Sequence, residues 1–189
     1  PGLFFGLALF TKHQAWLFLP LILALGWHFG WSFKQWRQWL SGWLPALVLL
    51  IAWEMGRSGT FALWTRQIDN FGGLRLIWSW ELLPRLLAWG ELWQTTVSSP
   101  ILLLAFALAL LLALWRILTP NQQSPQNTTA GILALFVIGY TAFHWLVAIP
   151  PWERYLLPIL PMLVLLLANT LSHAVRMTYY IPILALLIT

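Results

Sequence analysis

The sequence predicts an all-α, polytopic membrane protein whose transmembrane helices pack as a bundle. Of its 189 residues, 60% are hydrophobic and only 8% are charged, and its mean hydropathy is +0.77. Soluble domains carry about 25% charged residues, so this chain lacks the polar side chains that a water-exposed surface needs. Many of its 15 tryptophans, Trp39 and Trp43 among them, lie near the ends of apolar runs. We interpret them as an aromatic belt at the lipid headgroups.

Apolar segments follow one another along the whole chain. A membrane-spanning helix needs about 20 mostly apolar residues, and several segments approach that length. Because the chain starts without Met and ends inside an apolar run, we expect a single transmembrane domain over 1–189, truncated at both ends. We predict seven hydrophobic segments, at 1–11, 14–31, 39–56, 99–118, 130–150, 155–172 and 179–189.

The connections between these segments alternate between the two faces of the bundle. Two short basic turns, at 32–38 and 172–177, and the polar loop at 119–129 fall on one face. The opposite face receives the corner at Lys12, the long extramembrane or interfacial loop at 57–98 and the corner "PPWERY" that begins at Pro150. The alternation therefore gathers three charged features on one side without the use of any motif.

The long loop contains its own helical signal. Leu and Trp recur through "LRLIWSWELLPRLLAWGELW", and Glu81 and Arg85 have the i,i+4 spacing of a helical ion pair. We expect one or two helices that lie on the membrane surface, interrupted near Pro84 and Gly90.

Two of the charged features are candidate anion sites. Lys12 stands at a helix corner, from which its ammonium can reach the membrane–water interface and bind a lipid phosphate; alternatively, it only marks a tight turn. Arg154 and Tyr155 follow two prolines, and a guanidinium suits phosphate because its planar fork donates two hydrogen bonds. The alternative there is an interfacial anchor in which Glu153 pairs with Arg154.

Other site classes find little support in the sequence. There is no Cys, the four histidines show no metal-ligand spacing such as H-x-x-x-H, and no cofactor site is evident. The Lys and Arg residues do not cluster as they do in nucleic-acid-binding proteins, so no nucleic-acid partner is expected. Among the five carboxylates, Glu54 is interpreted as the structural partner of Arg57.

Two stretches resemble one enzyme family. "GLALFTKHQAWLFLPLILAL", which begins at Gly6, resembles the helix–corner–helix segment, often G-L-A-x-x-T-K-G, of lipid-carrier-dependent membrane glycosyltransferases. These include protein O-mannosyltransferases and the aminoarabinose transferase of lipid A. "ERYLLPILPMLVLLLA", which begins at Glu153, is similar to their R-Y-x-L-P-x-x-P helix. His13 stands where the family usually has glycine.

The resemblance implies a GT-C fold and the transfer of a sugar from a polyprenyl-phosphate donor to a protein, lipid or glycan acceptor. It implies an integral protein of the bacterial plasma (inner) membrane with its active face outward. The family's catalytic acid lies in an earlier external loop, so we expect no catalytic residue here, and a divalent cation would concern the full-length enzyme. The donor phosphate would be bound by Lys12, Arg154 and Tyr155, with Arg66 or Arg75 from the long loop.

Two other functions remain open from the sequence. One is a fragment of a transporter or flippase, in which charges would line a path through the bilayer. The other is a non-catalytic membrane scaffold. The oligomeric state is not readable from these patterns.

Overall fold

Most of the described residues are helical. The computed structural model describes residues 2–58, 75–119 and 124–188, with the side chains of 13, 58 and 176–188 left out. Within these ranges no β-strand occurs, and the extended segments form only an isolated antiparallel bridge between Leu76 and Val147. The structure agrees with the all-α class that the composition predicts.

The described residues form seven α-helices joined by short 3-10 turns. A 3-10 turn at His13–Phe18 leads into the second helix, and another at Ser79–Glu81 leads into the fourth. Two more, at Glu153–Tyr155 and Leu157–Ile159, precede the last helix. The helices are α1 (Gly2–Thr11), α2 (Leu19–His28), α3 (Phe33–Ser58), α4 (Leu82–Val97), α5 (Pro100–Leu118), α6 (Pro125–Leu146) and α7 (Leu160–Ile188).

Four helical segments in the described part of the chain are long and apolar enough to cross a membrane. The prediction of seven hydrophobic segments is therefore wrong as a count of spans, because the two N-terminal segments form shorter apolar helices, Gly2–Thr11 and Gln14–His28. Residues 160–172 and 179–188 of the last two predicted segments belong to the single helix α7. The four candidate spans are Phe33–Arg57, Pro100–Leu118, Pro125–Leu146 and Glu153–Val175.

The basic segment at 172–177 is helical, so the turn predicted there is wrong. The segment contains neither Gly nor Pro, the residues that most strongly end a helix. Ser172 donates from Oγ to the carbonyl oxygen of Asn169 at 2.8 Å, which satisfies its hydroxyl inside the helix. Polar side chains at this point therefore do not break α7.

The turn predicted at 32–38 is also wrong for most of its length, because α3 begins at Phe33. The Ser32 amide donates to Oε1 of Gln35 at 2.7 Å, and the Gln35 amide donates to Oγ of Ser32 at 3.4 Å. This is a capping box, which satisfies two amides that would otherwise lack a partner at a helix start. Lys34 and Arg37 consequently belong to the first turns of α3.

The polar loop predicted at 119–129 is shorter than expected, because α6 begins at Pro125. Proline is favoured at the first position of a helix, where no amide hydrogen is needed. The Asn127 amide donates to Oγ of Ser124 at 3.2 Å, so Ser124 caps the helix. A Ser-Pro pair thus starts α6 inside the predicted loop, so that the last five residues predicted as loop are helical.

The chain divides into two compact units, which are described separately: one of Pro1–Leu76 with Val147–Ile149, and one of Ile77–Leu146 with Pro150–Thr189. In the first unit, α1 packs along α3. A Cβ atom added to Gly42 would lie 2.9 Å from the Leu3 amide nitrogen and 3.0 Å from the Cα of Gly2. The two helices therefore approach each other at backbone distance, which only residues without a side chain permit.

Aromatic side chains fill the rest of the contact between α1 and α3. Trp39 and Trp43 are buried and pack with Phe5 and Leu9, and the Phe5 ring centroid lies 5.5 Å from that of Trp39. The aromatic-belt interpretation is therefore wrong for Trp39 and Trp43. The two residues are four positions apart and so share one face of α3, and that face contacts α1 rather than lipid.

The second unit contains α4 to α7. Small side chains bring α5, α6 and α7 together at Ala109, Ala113, Ala130 and Ala134, which pack with Leu166. Small residues are favoured between membrane helices because they permit close van der Waals packing. This packing holds together three of the four helices that line an apolar cavity of this unit.

The helix predicted in the long loop is present, but the predicted interruption is not. Residues Leu82–Val97 form one continuous helix, α4. Pro84 lies in its first turn, where a missing amide hydrogen costs nothing. Gly90 lies within the helix without ending it.

Candidate functional site

The candidate site lies in the second unit, at a short turn before α7. Residues Glu153–Tyr155 form one 3-10 turn, in which the Tyr155 amide donates to the carbonyl oxygen of Trp152 at 2.9 Å. A 3-10 helix has three residues per turn, so neighbouring side chains point in different directions. Glu153 and Arg154 are exposed, whereas Tyr155 is buried.

The guanidinium of Arg154 is held by aromatic rings. Its central carbon lies 3.9 Å from the ring centroid of Trp152 and 5.5 Å from that of Tyr155, both within the range of cation–π attraction. Among the described residues, the Arg154 side chain makes no hydrogen bond and no ion pair, so the pair with Glu153 that the alternative interpretation required is not formed. Its hydrogen-bond donors therefore stay available to an anion.

Tyr155 supports this arrangement from the inside. It is 1% exposed, its ring stacks on Trp152 at 5.9 Å and 15°, and its other neighbour is His144 at 5.0 Å. His144 is 1% exposed as well, and its Nδ1 donates to the carbonyl oxygen of Tyr140 at 2.9 Å. A packed column of rings thus runs from the interior of the unit to Arg154, and Tyr155 acts within it through packing.

Arg85 fixes the end of α6 beside this column. Its Nε donates to the carbonyl oxygen of Trp145 and its Nη2 to that of His144, each at 2.9 Å. In return, the Trp145 indole nitrogen donates to the carbonyl oxygen of Leu82 at 3.2 Å. The last carbonyls of a helix lack intrahelical partners and favour a cation, so Arg85 joins α4 to the C-terminal end of α6.

An apolar cavity of about 460 Å³ lies among α4, α5, α6 and α7. Its lining side chains are almost all hydrophobic and include Trp89, Trp93, Phe106, Val137 and Leu163. Three of the four lining helices belong to candidate membrane spans. The cavity is consequently suited to a hydrocarbon chain.

A second cavity, of about 560 Å³, lies beside Arg154 and is also lined by Leu92, Pro151, Trp152 and Glu153. Leu92 comes from α4, the same helix that lines the apolar cavity with Trp89 and Trp93. Helix α4 therefore borders both the apolar cavity and the cavity that contains the exposed guanidinium of Arg154.

Lys12 belongs to the first unit and stands at a helix corner, as expected. Helix α1 ends at Thr11, the next 3-10 turn starts at His13, and Lys12 between them has an extended backbone. Its side chain is exposed, and it makes no hydrogen bond or ion pair to the described part of the chain. An outward-facing ammonium is present at this corner.

The two predicted site residues of the long loop are Arg75 and Arg66. Arg75, also in the first unit, is exposed; its carbonyl oxygen accepts from the Ala148 amide at 2.9 Å, and its Nη1 donates to the carbonyl oxygen of Leu76 at 3.2 Å. Arg66 lies outside the described residues. Of the five predicted site residues, the structure brings together Arg154 and Tyr155 within one unit.

The acidic side chains of the described ranges form no metal site. Within them, no group of three His, Asp or Glu side chains is placed to hold a metal ion. Glu54 is 4% exposed, and its Oε1 accepts a 2.8 Å hydrogen bond from Nη2 of Arg57. The two side chains form an ion pair, which confirms the pairing that the sequence predicts.

The sequence did not single out Trp152, His144 or Arg85 as parts of the site. Trp152 follows two prolines and lies two positions before Arg154. At this spacing the indole meets the guanidinium only if the chain turns there. His144 and Arg85 act through contacts with residues about 60 positions away in the sequence, which no local pattern reveals.

Comparison with known proteins adds no relative to this description. No family model, no curated protein and no solved structure matches the chain significantly.

Proposed function

We propose that this chain is the donor-lipid-binding part of an integral membrane glycosyltransferase, which transfers a sugar from a polyprenyl-phosphate carrier to a protein, lipid or glycan acceptor. The observation that carries the proposal is the exposed, unpaired guanidinium of Arg154 at the second cavity. The same unit contains a hydrocarbon-sized apolar cavity. A lipid phosphate with a long apolar chain has complementary chemistry to both.

Charge supplies the mechanistic reason for a cation at this point. When a sugar leaves a polyprenyl phosphate with inversion at the anomeric carbon, negative charge increases on the departing phosphate. A cation fixed before the reaction stabilises that charge without the cost of reorganisation. Arg154 would bind the phosphate oxygens with its planar fork, and Tyr155 would hold the guanidinium in place through Trp152. By the resemblance, Lys12 and one of the loop arginines, Arg66 or Arg75, are further candidates for binding a lipid phosphate.

The resemblance in the corner at Lys12 and in the Arg-Tyr turn supports the choice of reaction. It assigns the activation of the acceptor to a carboxylate in another part of the family's chain. The proposed active face is the outer face of a bacterial plasma membrane.

The test is a transfer assay with the full-length protein in lipid nanodiscs. Polyprenyl phosphates that carry radiolabelled mannose, glucose or aminoarabinose are supplied with membrane acceptors, and label in the acceptor is counted. We expect transfer with at least one sugar, a loss of about 100-fold in Arg154→Ala and a smaller loss in Arg154→Lys. Arg37→Ala, which removes an exposed arginine of α3, is the matched control and should leave transfer unchanged.

Two results would contradict the proposal. One is no transfer of any of the three sugars by the wild-type protein. The other is full transfer by Arg154→Ala. Movement of the labelled lipid across the membrane of sealed vesicles without transfer would instead support the flippase function.

A further inference from the structure

We propose that Gly90 is a specificity-determining residue of the donor site, because the space it leaves in the wall of the apolar cavity admits the hydrocarbon chain of the donor lipid. The inference rests on the proposed function, since this chain is attached to the phosphate that Arg154 would bind. It goes further by naming the residue that limits how much of the chain the cavity can take.

The cavity wall on α4 is one face of that helix. Residues three, four and seven positions apart share a face of an α-helix, and the wall residues of α4 and of α5 both follow this spacing. On α4 they are Leu86, Trp89, Gly90 and Trp93, and on α5 they are Leu103, Phe106, Ala107 and Leu110. Gly90 therefore belongs to the face of α4 that is directed at the cavity.

Gly90 leaves free space on this face. Apart from its sequence neighbours and the backbone of its own helix, no atom lies within 4 Å of a Cβ atom added to Gly90. The bulky side chains of Trp89 and Trp93 belong to the same face. A side chain at position 90 would consequently occupy volume that a ligand of the cavity can now use.

The chemistry of the wall favours a hydrocarbon. The cavity volume of about 460 Å³ falls within the range of roughly 300 to 1,000 Å³ of small-molecule sites. Two polar groups of the wall already have partners: the Thr141 hydroxyl donates to the carbonyl oxygen of Val137, and the Trp145 indole nitrogen donates to that of Leu82. The almost entirely apolar wall thus attracts a ligand through hydrophobic burial and dispersion.

The cavity is not enclosed, and exposed residues of its wall lie at the depth of the hydrocarbon core. Ala107 is exposed seven residues after the start of α5, and Ile138 is 42% exposed eight residues before the end of α6. At 1.5 Å per residue, these positions are about 10 to 12 Å inside their spans, and the hydrocarbon core is about 30 Å thick. A chain that lies in the bilayer can therefore enter the cavity from the side.

The position of α4 connects the chain with the phosphate. Leu92 borders the cavity beside Arg154, and the next residue, Trp93, borders the apolar cavity. Consecutive Cα atoms are about 3.8 Å apart, so the two cavities meet the same turn of α4. The carbons that follow a phosphate at Arg154 would thus lie close to Trp93, one helical turn from Gly90.

Two probes with the same chain separate the hydrocarbon from the phosphate. Farnesyl phosphate carries both groups, and farnesol carries the chain alone. Isothermal titration calorimetry on the full-length protein in nanodiscs, with the signal of protein-free nanodiscs subtracted, gives each dissociation constant. We expect wild-type protein to bind both probes, and farnesyl phosphate more tightly.

Substitutions at Gly90 fill the cavity from its wall. Gly90→Leu should weaken the binding of both probes about 10-fold, which corresponds to about 1.4 kcal/mol and to the exclusion of about two methylene groups. Gly90→Ala fills less space and should weaken both about threefold. Leu and Ala are better helix formers than Gly, so neither variant should have a lower melting temperature than the wild type.

Gly139→Leu is the matched control. Gly139 lies in α6 outside the cavity wall, and it too has no atom within 4 Å of an added Cβ. The same side chain is therefore added to a membrane helix without entering the cavity, and the affinity for both probes should stay within about twofold of the wild type.

The outcomes distinguish this inference from the proposed function. No binding of farnesol to the wild type overturns the inference. Unchanged affinity of Gly90→Leu for farnesol also overturns it, and is the result expected if a bilayer phospholipid fills the cavity instead. An equal loss in Gly90→Leu and Gly139→Leu overturns it as well, because the effect would not depend on the cavity wall.

Arg154→Ala tests the phosphate site separately. It should weaken the binding of farnesyl phosphate and leave that of farnesol unchanged. If farnesyl phosphate bound no more tightly than farnesol, or equally well to Arg154→Ala, the proposed phosphate site would be wrong, whereas the effect of Gly90→Leu on farnesol would still decide the role of Gly90.

Discussion

Arg85 donates from Nε to the carbonyl oxygen of Trp145 at 2.9 Å, and Trp145 in turn donates from its indole nitrogen to the carbonyl oxygen of Leu82 at 3.2 Å. A side chain of α4 is thus bound to the backbone of α6, and a side chain of α6 is bound to the backbone of α4. Because His144 also receives a hydrogen bond from Arg85, the position of the ring column under Trp152 depends on this exchange.

Replacement of Arg85 should therefore destabilise the second unit. Arg85→Ala leaves two carbonyl oxygens of a helix end without their charged donor, and we expect a loss of about 2 to 4 kcal/mol in the free energy of unfolding. Arg85→Lys can donate but cannot match the planar fork, so its loss should be about half as large. Thermal unfolding in detergent, followed by circular dichroism, measures both. Arg37→Ala is the control, and an unchanged melting temperature in Arg85→Ala would show that the exchange is not stabilising.

Tyr155 offers a test of what its buried ring does. Its hydroxyl is buried and has no hydrogen-bond partner in the described part of the chain, so Tyr155→Phe removes little. We expect it to change the unfolding free energy by less than about 1 kcal/mol. It should also leave the affinity for farnesyl phosphate within about twofold.

Tyr155→Leu, in contrast, removes the ring that Trp152 stacks on. We expect a loss of about 1 to 3 kcal/mol in stability and an affinity for farnesyl phosphate that is weaker by about fivefold. If Tyr155→Phe weakened the binding of farnesyl phosphate as much as Tyr155→Leu does, the hydroxyl would contact the phosphate directly, and the supporting role given to the ring would be wrong.

Gly42 is expected to tolerate no side chain. A methyl group there would meet backbone atoms of α1 at about 3 Å, and backbone cannot rotate out of the way. We expect Gly42→Ala to destabilise the first unit by about 1 to 3 kcal/mol. Gly56 lies in the same helix with nothing within 4 Å of an added Cβ, so Gly56→Ala should be neutral or stabilising by up to about 1 kcal/mol. Equal melting temperatures of the two variants would argue against the close approach of α1 and α3.

Ser32 should contribute through the start of α3. Ser32→Ala removes the oxygen that accepts from the Gln35 amide, and we expect a loss of about 1 kcal/mol. Ser41 lies inside α3, where its hydroxyl donates to the carbonyl oxygen of Gln38 at 3.1 Å, and Ser41→Ala serves as the control with a change below about 0.5 kcal/mol. Chemical denaturation in mixed micelles resolves this difference, and equal stability of the two variants would contradict the capping role.

Composition and local pattern predicted the all-α membrane class, the corner at Lys12 and the pair of Glu54 with Arg57, because each depends on neighbours in the sequence. The stretches "SFKQ" and "SP" cap the starts of α3 and α6, although the polar composition of both regions favours turns. Polar side chains satisfied by the backbone one turn earlier do not end a helix, as Ser172 shows.

The parts of the site that were missed depend on the third dimension. A guanidinium at Arg85 can bind the end of a helix about 60 residues later only after α4 and α6 have packed. The exposure of Trp152 and the burial of Tyr155 likewise follow from one 3-10 turn, whose direction the sequence "PPWERY" leaves open.

The contact between Gly2 and Gly42 also bears on how distant relatives could be found. Apolar spans exchange Leu, Ile, Val and Phe freely, so their sequences lose similarity quickly while their structure persists. A glycine opposite another glycine has no such substitute, because its neighbour is backbone. We therefore expect this pair, one in the first helix and one in the third, to be retained after most of the surrounding identity has disappeared, and to serve as a signature for homology searches.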